Sequence, residues 1–112
     1  MTSEPQPGDL VYRTLTTVDG HELLVLGRTV TAESFESYEK SLGATPGEFA
    51  HAKKYFREQT VRGFLYGQWY STAAPTGDWG WVHKNTCVTL NEDLWLAFMK
   101  TIQLRAKLRQ AS

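Results

Sequence analysis

The sequence predicts a single α+β domain, a mostly antiparallel sheet with helices packed on one face, in the order ββααββα. Three observations lead there. Two pairs of strand-like segments each enclose short turn chemistry, two segments with helical start and stop signals lie between the pairs, and a third helical segment follows the last strand. At 112 residues the chain is long enough to bury one ordinary core, so a single domain over 8–110 is expected behind a flexible, proline-containing lead over 1–7.

The first strand is expected over Gly8 to Thr16, where Leu10, Tyr12 and Thr14 alternate with Val11, Arg13 and Leu15. Asp19-Gly20 tolerates positive φ and predicts a tight hairpin turn. The returning strand, Glu22 to Val30, contains Leu23-Leu24-Val25-Leu26, a run that predicts burial on both faces, and Gly27 marks a bulge within it. Thr31 then caps a short helix with Phe35, Tyr38 and Leu42 at helical spacing and Gly43 at its end. Thr45-Pro46-Gly47-Glu48 is the strongest local signature. It sets an N-cap threonine three residues before a glutamate and a proline at the first helical position, and the apolar stripe Phe49, Ala52 and Phe56 carries that helix to about Gln59. Val61 to Ser71 and Trp79 to Leu90 read as strands three and four, joined by too few residues for a helix. Asn91 caps a final helix with Glu92 and Asp93 in its first turn and Arg105, Lys107 and Arg109 toward its end, both matched to the helix dipole.

Apolar and charged residues make up 41 % and 21 % of the chain, which fits a globular protein and excludes a disordered or fibrous class. The apolar runs are too short for a membrane span, and the first residues lack the pattern of a secretory signal, so a cytoplasmic location is expected. The one cysteine, Cys87, has no partner for an internal disulfide and reads as a buried small residue. The zero net charge hides an asymmetry: residues 1–50 sum to −5 and residues 51–112 to +5. Either the molecule has an acidic and a basic side, or the halves interleave and the charges pair.

Six of the fourteen aromatic residues fall between Phe64 and Trp81. Alternation places Phe64, Tyr66, Gln68 and Tyr70 on one face of the third strand, and Trp79, Trp81 and His83 on one face of the fourth. That face is either core beneath the helices or an outward surface of flat rings. As a surface, with Arg62 and Lys84 beside it and Arg105, Lys107 and Arg109 on the last helix, it suits stacking of unpaired bases with nearby phosphate contacts. It suits a protein hot spot equally, since Trp, Tyr and Arg dominate those.

Catalytic patterns are absent. His21, His51 and His83 are scattered without metal-ligand spacing, and Cys87 with His83 has strand spacing but no evident third group to orient a nucleophile. No metal or cofactor is expected. Val88-Thr89-Leu90-Asn91 followed by Trp95, Phe98 and Ile102 resembles the last strand and helix of a family of single-strand DNA-binding transcription coactivators, over at most the last forty or so residues. Two helices stand here where that family has sheet, and its markedly basic strands are missing. The expectation is therefore a non-catalytic regulatory or accessory protein. Its partner is single-stranded nucleic acid held by Arg62, Tyr66, Tyr70, Trp79, Trp81, Lys84, Arg105, Lys107 and Arg109, or else a protein recognised by the same hairpin. A small-ligand domain or enzyme ranks third, and a homodimer is compatible with each.

Overall fold

The computed structural model describes residues 4–111, without the side chains of Phe49 and Ala111. The expected packing of Phe49, and residues 1–3 of the lead, lie outside the described residues. Strands β1 (Leu10–Thr16), β2 (Glu22–Thr29), β3 (Phe64–Tyr70), β4 (Asp78–His83) and β5 (Val88–Thr89) form one antiparallel sheet in the order β4-β3-β2-β1-β5. Helices α1 (Ala32–Ser41) and α2 (Pro46–Val61) connect β2 to β3, and α3 (Glu92–Ala111) follows β5. The α+β order and the one-sided helical layer are as the sequence predicts. No helix among the described residues is long and apolar enough to cross a membrane.

The helix starts lie where the side chains can cap them. Thr31 Oγ1 accepts the Ser34 N–H at 3.1 Å, Thr45 Oγ1 accepts the Glu48 N–H at 3.4 Å, and Asn91 Oδ1 accepts the Leu94 N–H at 2.9 Å. Each satisfies a backbone donor that the helix leaves open. Helix α2 runs past Gln59 to Val61 and is closed by Arg62, with Gly63 behind it at φ +97°.

Three local expectations are corrected. The first hairpin turn is wider than Asp19-Gly20 alone: Gly20 N–H bonds to the Thr17 carbonyl, Thr17 N–H to that of His21, and only Gly20 takes a positive φ, +84°. This is a three-residue loop with a glycine in the left-handed position rather than a two-residue turn. Gly27 is not a bulge, because the ladder passes through it with Val11 on one side and Trp69 on the other. Its role is room: a Cβ there would lie 2.2 Å from the Trp69 ring. Finally, the fourth predicted strand is two strands, divided by a single 3-10 turn, Lys84–Thr86. Thr86 Oγ1 donates to the His83 carbonyl and Cys87 N–H to that of Lys84, diverting the chain out of its strand.

That turn decides the shape of the sheet. It carries the chain from β4 to β5, the two opposite edges, in the four residues 84–87. In a flat sheet the edges of five strands would stand about 19 Å apart, whereas a 3-10 turn advances only about 2 Å per residue. The sheet therefore curls. Its concave face closes on itself as a small core of Val11, Val25, Trp69 and Cys87, with Leu23 and Val82 against it. The Trp69 indole lies on Gly27 and donates Nε1–H to the Gly80 carbonyl at 3.0 Å.

The convex face carries the helices in two groups. Helix α3 packs Trp95, Met99 and Ile102 on Leu26, with Leu10, Tyr12, Leu24 and Tyr70 around them. Arg28 lies over the Trp95 ring at 4.5 Å, a cation–π contact at the rim of this core. Helices α1 and α2 cover the β3–β4 half through Phe35 and Phe56, stacked on each other at 5.0 Å.

Because the Trp69 ring occupies the space over Gly27, Gly27→Ala should lower stability by about 1 to 3 kcal/mol through overpacking. Gly47→Ala, in the first turn of α2 with nothing within 4 Å of the added methyl, should raise it by up to about 1 kcal/mol. Urea unfolding midpoints that moved in the same direction for both variants would contradict this packing.

Candidate functional site

The register sets Gln68 opposite Trp79, Tyr66 opposite Trp81 and Phe64 opposite His83, so these six side chains share the convex face. Tyr66 sits between the tryptophans, 5.7 Å from Trp79 in a stacked pair and 4.9 Å from Trp81. From above, Phe35 meets Tyr66 edge-on at 5.7 Å and Phe56 meets Trp81 at 5.4 Å. At the outer margin, Tyr38 of α1 stacks on Trp79 at 5.8 Å and 22°, and Tyr55 of α2 meets Trp81 edge-on at 6.0 Å. The seven rings grade from core to surface. Phe56 is 2 % exposed, while Tyr38, Trp79 and Tyr55 are 45 %, 46 % and 50 % exposed.

The residues singled out in the sequence thus occupy three places. Tyr66, Trp79 and Trp81 belong to this cluster. Tyr70 is part of the α3 core, edge-on to Trp95 at 5.9 Å. Arg62 is exposed at the end of α2, by the His83 end of β4, where Lys84 is drawn to Glu4 at 2.8 Å. Arg105, Lys107 and Arg109 are exposed on α3, over the other half of the sheet. Tyr38 and Tyr55 complete the surface, although the sequence pattern counts Tyr38 among the inward residues of α1 and gives Tyr55 no role. The signal that could have found them is chemical: a tyrosine beside a fully apolar phenylalanine position marks the margin of a helix's buried face, because its hydroxyl needs water or a partner.

The charges that adjoin the exposed rings along the chain are of both signs, with Glu39 and Lys40 following Tyr38, Lys54 preceding Tyr55 and Asp78 preceding Trp79. Asp78 adjoins Trp79 at the start of β4 and is exposed. The Tyr66 phenol is held above its ordinary pKa, first by burial and then by Tyr38 and the carboxylate of Glu39. One turn away, Glu36 is held below the usual carboxylate range by its 2.9 Å bond to Lys53, with Lys40 at 3.6 Å. The Glu36–Lys53 pair links α1 to α2, while Lys40 pairs with Glu36 within α1.

Strand β4 is also the outermost strand on its side. Val30 N–H donates to the Tyr66 carbonyl at 2.9 Å, and Lys84 N–H to that of Gly63. Tyr66 therefore turns its backbone polar groups toward β2. By antiparallel alternation its partner Trp81, and with it Trp79 and His83, direct theirs away from β3. The His83 carbonyl is engaged by Thr86 Oγ1 at 2.8 Å and by the Cys87 thiol at 3.8 Å. The outward N–H and C=O groups of Trp79 and Trp81 form the open edge.

The Cys87–His83 pair does not assemble a nucleophile. Its contact runs through the His83 carbonyl, while Nδ1 of His83 accepts the Asn85 N–H at 3.2 Å. Burial pushes the Cys87 thiol pKa up, an effect that Thr86 and Arg13 only partly offset. Among the described residues no three His, Cys, Asp or Glu side chains come together to hold a metal. No protein-family model, curated protein or solved structure matches the chain.

A raised pKa means that the thiolate, the reacting form, is scarce until the pH exceeds the ordinary thiol range. Cys87 should react slowly with a disulfide reagent at neutral pH, faster as the pH rises, and at once after unfolding. Native labelling as fast as unfolded labelling would show that the thiol is neither buried nor raised.

Proposed function

We propose that this is a non-catalytic protein-binding module whose contact surface is the β4 margin: Trp79 and Tyr38 at its centre, with Trp81 and Tyr55 beside them. The observation that carries this reading is the half-exposed Tyr38–Trp79 stack beside an open strand edge. Large amphipathic rings already fixed by their neighbours lose little entropy when covered, which is the property of hot-spot residues. The unpaired backbone groups of Trp79 and Trp81 add directional hydrogen bonds of the kind used in strand addition.

A protein partner suits this surface better than a phosphate backbone. Phosphate contacts need cations next to the stacking rings; the charged residue that adjoins Trp79 is Asp78, Glu39 acts on the Tyr66 phenol, and the cations of α3 lie on the other half of the sheet. The exposed cations on the cluster's side, Lys40, Lys54, Arg57 and Arg62, belong to α1 and α2, with Lys40 paired to Glu36 and Arg62 at the far end of β4.

Peptides selected from a displayed random library against the protein should lose roughly thirtyfold or more in affinity on Trp79→Ala or Tyr38→Ala, the effect of one hot-spot residue. Both variants should keep the unfolding cooperativity of the parent. Salt should change peptide affinity little. The reading is overturned if the protein, held monomeric by dilution, enriches no peptide, or if a fluorescent single-stranded oligonucleotide binds at low salt with a steep salt dependence that Trp79→Ala abolishes.

A further inference from the structure

We infer that the partner at the β4 edge is a second copy of this chain, added antiparallel about a two-fold axis at Gly80, so that two sheets become one. The inference rests on the reading of this edge as a protein-binding surface and names its occupant. A two-fold interface must be complementary to itself, and three independent features of the edge meet that condition.

The first is the pattern of free backbone groups. With the His83 carbonyl engaged by Thr86 and Cys87, the outward pairs left are those of Trp79 and Trp81, placed symmetrically about Gly80. Antiparallel self-pairing about Gly80 sets Trp79 opposite Trp81 of the second copy and the reverse. Each pair exchanges two N–H···O=C bonds, and no free group is left over between them. A pairing shifted by one residue toward His83 would instead require its occupied carbonyl.

The second is space. The Gly80 residues would face each other in the close, non-hydrogen-bonded kind of pair, where side chains crowd most. Gly80 has no side chain, and a Cβ built there meets nothing within 4 Å. On the convex face each Trp79 would stand beside a Trp81, extending the row of rings across the axis.

The third is charge. The edge strand is acidic at its Trp79 end, with Asp78, and basic at its His83 end, with Arg62 and the Glu4-paired Lys84. Antiparallel pairing lays the acidic end of one copy along the basic end of the other, and the zero formal net charge of the chain sets no general repulsion against association. An unrelated strand has no reason to match this gradient. Head-to-tail assembly through the opposite edge is poorly templated, since β5 has two residues and Pro5 is buried on that side of the molecule next to them.

The test is sedimentation equilibrium of the full chain across a wide concentration range. The wild type should reach twice the monomer mass and no more. Trp79→Pro removes an outward N–H that bonds to no other described residue, together with the ring stacked on Tyr38 and Tyr66, so, like Trp79→Ala, which loses the same ring and keeps the N–H, it should retain the parent's far-ultraviolet dichroism while the thermal midpoint falls. It should raise the dimer dissociation constant about thirtyfold or more, the loss of two hydrogen bonds across the symmetric interface before the rings are counted. Asp78→Lys, which keeps the rings, should also weaken the dimer, and more at low salt than at high salt. A monomeric wild type at every concentration, a larger ring, or a dimer that survives Trp79→Pro and is lost on Leu104→Glu in α3 overturns the proposal. A monomer that still binds the selected peptides overturns the dimer and leaves the protein-binding reading; a monomer that selects no peptide overturns both.

Discussion

The shape of this molecule depends on the four-residue connection between the two edges of its sheet. A flat five-stranded sheet has two equivalent faces to cover. Once residues 84–87 tie β4 to β5, the faces differ: one contracts and the other widens. The contracted face is sealed by side chains of the strands themselves, with Trp69 as the main filler and Gly27 as the space it fills. The widened face is too broad for one helix, and two separate helical groups divide it. The aromatic cluster sits under the second group and reaches the margin at β4, where the cover ends.

Much of this was legible in the sequence because it is written in local chemistry. Thr31, Thr45 and Asn91 announce helix starts by side-chain geometry that acts over three residues, and the alternation along Phe64 to Tyr70 fixes which rings share a face. Long-range matters were not legible. Gly27 looks the same in a sequence whether it bends its own strand or admits a ring from the next one, forty-two residues later. The break in the fourth strand was hidden because Lys84-Asn85-Thr86 contains neither glycine nor proline. The turn is held by the hydroxyl of Thr86, a β-branched residue that in isolation favours a strand. The site was partly legible for the same reason. Trp79 and Trp81 were found by density, whereas Tyr70 was separated from them by the layer boundary on the convex face, which depends on where α3 lands.

The charge asymmetry also resolves in physical terms. Glu36 reaches across to Lys53 and Glu4 to Lys84, so acidic groups of the first half pair with basic groups of the second. The two halves interleave at these points. What survives as separation is local, Asp78 at the Trp79 end of β4 and basic groups toward the end of α3. Pairs of this kind on the surface contribute little stability each. Their effect is positional: the Glu36–Lys53 pair adds a polar link between α1 and α2 beside the Phe35–Phe56 stack.

The bond from the Trp69 indole to the Gly80 carbonyl joins the inside of the curled sheet to its outermost strand. It makes the four tryptophans optically unequal. Trp69 and Trp95 are sealed from water, Trp79 is half-exposed, and Trp81 is coupled through Tyr66 to its neighbour. Closely stacked rings mix their electronic transitions and buried indoles emit at shorter wavelength than exposed ones, so the Tyr38–Trp79–Tyr66 stack should contribute to the near-ultraviolet dichroism and Trp69 and Trp95 to the short-wavelength emission. The chain carries two intrinsic reporters, one on each side of a single hydrogen bond, through which loosening of the edge can be followed apart from loosening of the core.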